Sequence, residues 1–512
     1  MFRWLRPKET LDEAEARRGL RPLLFDAIFA QSMAVLTSGA FLVAFALLLG
    51  ASNKVIGLIA AIGPFTQILQ IPAIFLVDRT RLRKALVVIP VFLSRLLWLP
   101  IAALPWLLPP QYRLAFLLVA LLVASSLGAV ANCAFSSWMR DLIPERIMGG
   151  YFAKRMAAAI AVGAVLSLAA GFGVDFFKQH VDEIGIYAVL FVVGTGLGMV
   201  GVSFLGRVPE PRMSPSPGEG ILAVLSKPFK DKNFRSLLLF LGSWSFAVNL
   251  AAPFFTVYML RRLNLRMSLI IVFAVTSQLF NVLFLRVWGR LADRFTNKSV
   301  LTVSGPLFMV SIVLWPFLTM PERYFLTIPL LILIHVLAGM SAAGVSLCAG
   351  NIALKAAPKG SATAYLATNA LVAGVAATVA PILAGIAGDW FAGQELSLTI
   401  KWAATQNPGG AFLLPAISLR GLDFLFIISF ILGLYAVHRL LAVKEQGEVE
   451  ESVVVTELYA EVRKAVRHVS TVEGLRQLTL FPYARLKQLL LGKRGGRPDA
   501  GAGSDGSGES GT

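Results

Sequence analysis

Three observations predict an all-α membrane protein, built as twelve transmembrane helices in two pseudo-symmetric six-helix bundles. First, the 512 residues are 56% hydrophobic and only 15% charged. The surface of a soluble protein needs more charge than that, whereas lipid does not. Second, the chain holds twelve apolar stretches, each near the roughly 20 residues a helix needs to cross a hydrocarbon core. Third, landmarks in the first six stretches return in the last six at a nearly fixed offset, the mark of an internal repeat.

In chain order, the first six spans are expected near 22–48, 55–77, 84–107, 112–139, 150–177 and 184–206. The second six are expected near 235–260, 268–292, 299–320, 324–350, 361–391 and 413–441. A charged segment, 1–21, comes before them, and the first apolar run, too long for a signal-peptide core, reads as a mature helix. The Pro-, Gly- and Ser-rich run Gly206 to Gly220 lies in a linker, 207–234, between bundles 22–206 and 235–442. After the last span, Val455, Leu458, Val462, Val466 and Val469 recur at helical spacing, and "YARLKQLLLGKR" is basic and apolar. Segment 443–490 therefore reads as cytoplasmic amphipathic helices on the membrane or on the protein's underside. Residues 491–512 are too poor in apolar side chains to fold. The connection 392–412 is an insertion longer than its first-half counterpart, 178–183.

A net charge of +18 would point to nucleic acid in a soluble protein. Here Lys and Arg gather in loops between spans, so the partner they predict is an anionic bilayer leaflet and not nucleic acid. Arg79, Arg81, Arg83 and Lys84, then Arg140, Arg146, Lys154 and Arg155, then Arg290, Arg294 and Lys298 alternate with loops poorer in both residues. The positive-inside bias sets both termini in the cytoplasm of a multi-pass cell (plasma or inner) membrane protein. Arg261, Arg262 and Arg266 run against it. Cys133 and Cys348 lie in apolar stretches and form neither a disulfide framework nor a metal cluster. No metal or cofactor site is expected. Neither a phosphate-binding glycine loop nor a Ser/His/Asp set stands out, so neither an ATP motor nor an enzyme is expected.

Asp78-Arg79 and Asp293-Arg294 stand 215 positions apart, each in a charged loop. Pro144 and Pro358, Tyr151 and Tyr365, and Asp175 and Asp389 stand 214 apart. The last pair each follow a glycine by four residues, Gly171 and Gly385. Parallel repeats of this kind are a transporter architecture, with substrate held between the halves near mid-membrane. A carboxylate at a helix end is stabilised by the N-terminus of a neighbouring helix, whose unpaired N–H groups carry partial positive charge. Asp78 and Asp293 can act in that way or can simply set topology.

With these features the chain resembles the major facilitator superfamily, as a twelve-span, bacterial-type member, over roughly residues 20 to 442. The superfamily's loop signature runs Gly, three residues, Asp-Arg, then Gly and basic residues. Gly289, Asp293, Arg294 and Lys298 match it in the second half. The first half keeps Asp78 and Arg79 and ends in Arg83 and Lys84, with Ile74 and Arg81 where the two glycines belong. "PERIMG", Pro144 to Gly149, resembles the superfamily's loop after the fourth helix. The resemblance implies a monomeric secondary transporter that moves a small solute by alternating access, with protons or sodium as coupling ions. It further implies a cytoplasmic gate, with Asp78 against the span starting near Ser361 and Asp293 against the one starting near Gly150. The first, fourth, seventh and tenth spans would line the cavity, presenting Gln31, Ser32, Thr37, Ser125, Asn132, Asn249 and Ser341. The bland role for these side chains is hydrogen bonding between helices. The Gly-Pro pattern of the superfamily's antiporters is absent from the fifth span, "AVGAVLSLAAGFG". A rival from another class keeps this fold without transport, as a membrane assembly factor or sensor.

Ionisable groups inside a membrane are costly and usually functional. Asp26 lies a turn into the first span, Arg95 midway through the third, and His335 near the centre of the tenth. Asp26 and Arg95 are expected to pair, as structure or as a coupling site, while His335 either packs or titrates. Gly194 and Gly198 give a small-xxx-small face for tight packing within the chain. Asp175, Asp389 and Asp423, near the outer ends of their spans, are expected to be solvated or to cap helices.

Overall fold

Lipid leaves backbone groups no partner but each other, so apolar segments of this length close into helices. The computed structural model describes residues 13–213, 228–319, 322–358, 362–404, 407–445 and 451–470. The middle of the expected linker, the second tail helix and the tail 491–512 lie outside the described residues. Among the described residues, twelve helices are long and apolar enough to cross a membrane. They are α1 (Arg18–Leu48), α2 (Asn53–Thr80), α3 (Arg83–Leu107), α4 (Pro110–Leu142), α5 (Glu145–Phe177) and α6 (Glu183–Leu205). There follow α7 (Lys232–Arg262), α8 (Met267–Arg294), α9 (Asn297–Leu318), α10 (Thr327–Ala356), α11 (Tyr365–Phe391) and α12 (Asp423–Leu440). Twelve crossings return the chain to its starting side, here called the terminal face.

Local chemistry sets the helix ends. Pro144 lacks an N–H and disfavours helical backbone in the residue before it. Accordingly α4 stops at Leu142 and α5 starts at Glu145, earlier than the expected 150. Asp231 opens α7 by accepting the N–H groups of Asn233 and Phe234 at 2.9 and 3.0 Å. Thr296 opens α9 by accepting the Ser299 N–H at 3.0 Å, a cap that satisfies one orphan donor.

The last span is shorter than expected. Residues to Arg420 belong to an antiparallel hairpin, β1 (Glu395–Ala404) and β2 (Asn407–Arg420), so α12 begins at Asp423 rather than 413. The sequence carried the signal, since Leu396, Leu398, Ile400 and Trp402 alternate with polar residues, the two-residue period of a strand. Leu398 pairs with Ile417 and Thr399 with Pro415, leaving Ala416 as a bulge.

Two cores hold the bundles. At the terminal end of the first, Leu23, Val77, Val88, Trp138, Leu142 and Val208 pack together, all buried. In the second, Phe255 stacks on Trp315 at 4.4 Å, and Tyr258 and Phe426 meet them edge-on or tilted. The helices α1 and α6 pack along Gly194, where an added Cβ would stand 3.0 Å from Thr37 Cγ2; the small-residue face serves packing within the chain, as expected. A further helix, α13 (Glu451–Ser470), lies in a second compact unit that begins at Ser452. It bears Val453, Val455 and Tyr459 exposed.

Candidate functional site

The face opposite the termini is joined by two reciprocal caps. Asp175, at the end of α5, accepts the backbone N–H groups of Met267 and Ser268 at the start of α8, at 3.0 and 2.9 Å. Asp389, at the end of α11, accepts those of Asn53 and Lys54 at the start of α2, at 2.8 and 3.0 Å. The two carboxylates are 214 positions apart, and so are the two recipient helix starts. Each half gives one carboxylate to the other and receives one. Charge-assisted bonds from a helix N-terminus to a carboxylate are among the stronger polar contacts. The glycines four residues earlier bring the helices within reach. A Cβ on Gly385 would lie 2.6 Å from the Asn53 carbonyl oxygen, and one on Gly171 would lie 3.3 Å from Ser268 Cα. Arg261 adds a fifth bond between halves, donating to the Ala51 carbonyl at 2.8 Å. Capping was one of the two expectations for Asp175 and Asp389; the receiving helices were not anticipated.

The terminal face is different. Asp78, Arg79, Asp293 and Arg294 are exposed, and neither carboxylate makes a hydrogen bond or ion pair with another described residue. The neighbour expected for Asp78, near Ser361, lies outside the described residues. Gly150, expected near Asp293, is exposed, and a Cβ there would have no neighbour within 4 Å. Gly289, the signature glycine, sits near Leu347 of α10, with 3.8 Å from its would-be Cβ to Leu347 Cδ2.

The basic ends of the two charged loops are instead anchored to Asp141 and to the segments that follow each half, at Glu210, Pro211 and Glu445. Arg83, fully buried, pairs with Asp141 and donates to the Pro211 carbonyl at 2.6 Å. Glu210 accepts the Arg83 N–H at 2.7 Å and lies 3.6 Å from the guanidinium. Burial pushes the Glu210 carboxyl above its ordinary range, opposed by N–H donation from Lys84 and Arg83. In the second half Glu445 accepts the Lys298 N–H at 2.8 Å and the Asn297 amide at 2.9 Å. Asp141, Glu210 and Glu445 were not singled out in the sequence. They lie far along the chain from the cations they hold, and spacing alone cannot pair them.

Inside the first bundle, Asp26 lies 3.6 Å from Arg95 and 3.7 Å from Arg155. Arg95 donates to the Gly198 carbonyl, and Arg155 Nε donates to Leu23 O at 3.3 Å. The expected pair is therefore a triad joining α1, α3 and α5. Arg155 was counted with the basic loop residues although the expected span 150–177 already held it; with α5 starting at Glu145 it lies deeper still. Gly201 leaves the room the pair needs: its Cβ would stand 2.9 Å from the Arg95 guanidinium.

His335 packs. Its Nδ1 is 2.8 Å from the Leu331 carbonyl, and its ring stacks on Phe273 at 5.1 Å. Ser32, Thr37, Asn249 and Ser341 bond to carbonyls one turn back in their own helices, at 2.5 to 2.9 Å, rather than between helices. Gln31 lies against Gly163 of α5, and Asn132 is exposed on α4. Ser245 and Ser429, not anticipated, do bond between helices, to Ala373 and Ala247 carbonyls at 2.9 and 2.7 Å. Among the described residues no group of His, Cys, Asp and Glu is placed to hold a metal.

The sequence model of a family described as Major Facilitator Superfamily matches residues 27–381. No curated protein matches the chain. Solved structures share its fold at low identity. A mutant of the nucleoside transporter NupG is 12% identical with a TM-score of 0.61, covering 84% of this chain and 100% of the other. A POT family transporter in complex with 5-aminolevulinic acid is 14% identical with a TM-score of 0.57, covering 83% and 95%. A D-xylose–proton symporter is 14% identical with a TM-score of 0.57, covering 85% and 98%.

Proposed function

Since the chain belongs to the Major Facilitator Superfamily, we propose that it is a secondary active transporter that moves a small solute by alternating access. Its two six-span halves, 22–206 and 235–442, rock about a site between them. The observation that carries this reading is the reciprocal capping opposite the termini. Asp175 and Asp389 reach helix starts of the other half, so both bonds hold only while the halves meet there, and both break when solute enters from that side. Asp78 and Asp293, exposed at the terminal face, are the carboxylates that engage when that side closes in turn. The Lys and Arg bias makes the terminal face cytoplasmic. The conformation described is then inward-open, in a monomer of the cell membrane with both termini inside.

Asp26 is the group assigned to ion coupling. A buried carboxylate within the membrane is a functional hypothesis by default. A proton suits it better than sodium, because Arg95 and Arg155, at 3.6 and 3.7 Å, repel a metal cation.

Spin labels at Asp182 and Arg323, exposed opposite the termini, and at Arg146 and Leu354, exposed at the terminal face, test the cycle in lipid nanodiscs. The expected result is a short distance for the first pair and a long one for the second. In the Asp175→Asn/Asp389→Asn double variant both relations reverse in a new population. Distances that stay single and uncoupled in that variant would favour the non-transporting assembly factor or sensor.

A further inference from the structure

Two of the three arginines that run against the positive-inside bias, Arg261 and Arg262, line a cavity of about 470 Å³. It lies opposite the termini, where the ends of α7 and α11 meet the foot of the hairpin. Asn53, at the start of α2, belongs to its wall as well, so the cavity spans the two halves. Among the described residues the wall carries Arg261, Arg262 and Arg420 against one carboxylate, Glu395, an excess of two positive charges. Asp389 and Asp423 adjoin lining residues but are not on the wall. They accept backbone N–H groups, from Asn53 and Arg420 respectively, at 2.8 and 2.9 Å.

The arginines keep donors for a ligand. A guanidinium has five N–H donors in a planar fork. Among the described residues Arg261, itself exposed, gives one to the Ala51 carbonyl and no other. Arg420 donates from Nη2 to Glu395, and its side chain is still 40% exposed. The backbone carrying Arg261 also departs from the α-helix, since the Leu263 N–H donates five residues back, to Tyr258, at 3.0 Å. Such wide turns are rare and recur at functional sites. Tyr258 is on the same wall.

We propose that this cavity binds a small free dianion, a dicarboxylate or a phosphomonoester, and that the bound anion holds the halves together on this face. The fork of an arginine matches carboxylate and phosphate oxygens two at a time. Two negative charges match the excess on the wall, whereas a phosphodiester headgroup brings one. Arg261 reaches across to Ala51 and Asn53 closes the wall, so parting the halves here dismantles the site. A ligand that binds one conformation better draws the population toward it. Binding itself does not depend on the transport reading; the effect on conformation rests on it.

The probes are succinate and its neutral isostere succinamide, added at fixed ionic strength to the full chain in phosphatidylcholine nanodiscs. Succinate is expected to raise the unfolding temperature, which yields an apparent Kd, and succinamide is not. Arg261→Gln should weaken succinate at least about tenfold, the worth of a charge-assisted hydrogen bond. Glu395→Gln removes the wall's own competitor and should tighten succinate roughly two- to fivefold. A merely structural disturbance would weaken binding in both variants, so the opposite signs carry the test. The comparison of the two probes needs no variant and stands even where Arg261→Gln fails to fold. Asp175→Asn changes the contact of α5 with α8 and leaves this wall intact. In that variant succinate should draw labels at Asp182 and Arg323 back to the short distance. Equal stabilisation by the two probes, stabilisation by neither, or weaker binding in Glu395→Gln overturns the site. Stabilisation by phosphatidylglycerol that Arg261→Gln abolishes would give the site to a headgroup and overturn the free dianion. Where Asp175→Asn opens this face, succinate that binds without shortening the distance overturns the closure. Where Asp175→Asn shows no open population although succinate binds, the transport reading fails and takes the closure with it, while the anion site stands.

Discussion

Asp26 shows what a single residue reveals in a sequence and what it hides. A carboxylate within a span needs a partner, and Arg95 was within reach by depth alone, so the pair was legible. Arg155 was not, because it was counted with the basic loop, although the start that Pro144 sets for α5 places it deeper in the span. The triad makes a prediction at this scale. Asp26→Asn leaves two guanidiniums facing each other without countercharge, and breaking such buried pairs costs roughly 3–5 kcal/mol. Thermal unfolding should show that loss, and Asp26→Asn/Arg95→Gln should recover only part of it, since Arg155 remains. Full recovery in the double variant would remove Arg155 from the triad.

At the scale of elements, the spans were legible because the bilayer enforces them. The hairpin was legible in part, through the alternation in β1, but the apolar residues of β2 ran into α12 and were counted with it. The crossings of α2 with α11 and of α5 with α8 were implied by the resemblance, through the partners expected for Asp78 and Asp293, but their caps opposite the termini were not legible, because nothing in a helix's own sequence names them. They make the second prediction. Gly385→Ala places a Cβ 2.6 Å from the Asn53 carbonyl oxygen and 2.9 Å from Lys54 Cα, backbone that cannot turn aside. Gly171→Ala meets Ile271 Cγ1 at 3.1 Å and Ser268 Cα at 3.3 Å, where a few tenths of an ångström suffice. Labels at Asp182 and Arg323 should therefore move apart in Gly385→Ala and much less in Gly171→Ala. Equal responses would mean that the crossings do not set the approach of the halves.

The whole molecule carries two sets of carboxylates, one at each face, and the proposed cycle sets them against each other. Asp175→Asn should weaken closure opposite the termini by about 0.3–2 kcal/mol, the range for a charge at a helix N-terminus. That is roughly a two- to thirtyfold change in the conformational ratio, taking 1.4 kcal/mol as tenfold. Asp293→Asn should shift the ratio the other way, toward the conformation described here. Asp78→Asn should act as Asp293→Asn does but more weakly, because Ile74 stands where a glycine would allow closer approach. Distances between Arg146 and Leu354 read all three. A shift of the same sign for Asp175→Asn and Asp293→Asn would contradict opposed gates.

The matched spacing of carboxylates and recipient helix starts has a consequence beyond gating. Position i of one half meets position j of the other, and j meets i, the isologous rule of a two-fold dimer. A free-standing six-span unit with one Asp and one suitable helix start would make both contacts on pairing with a copy of itself. In such a unit a single substitution strikes both contacts together. Joined in one chain, the two contacts become separate addresses, and each half is free to vary alone. The loop pair at the terminal face has used that freedom, keeping glycine at 289 and isoleucine at 74. The pair opposite the termini has kept its symmetry, with Gly-x-x-x-Asp intact in both copies.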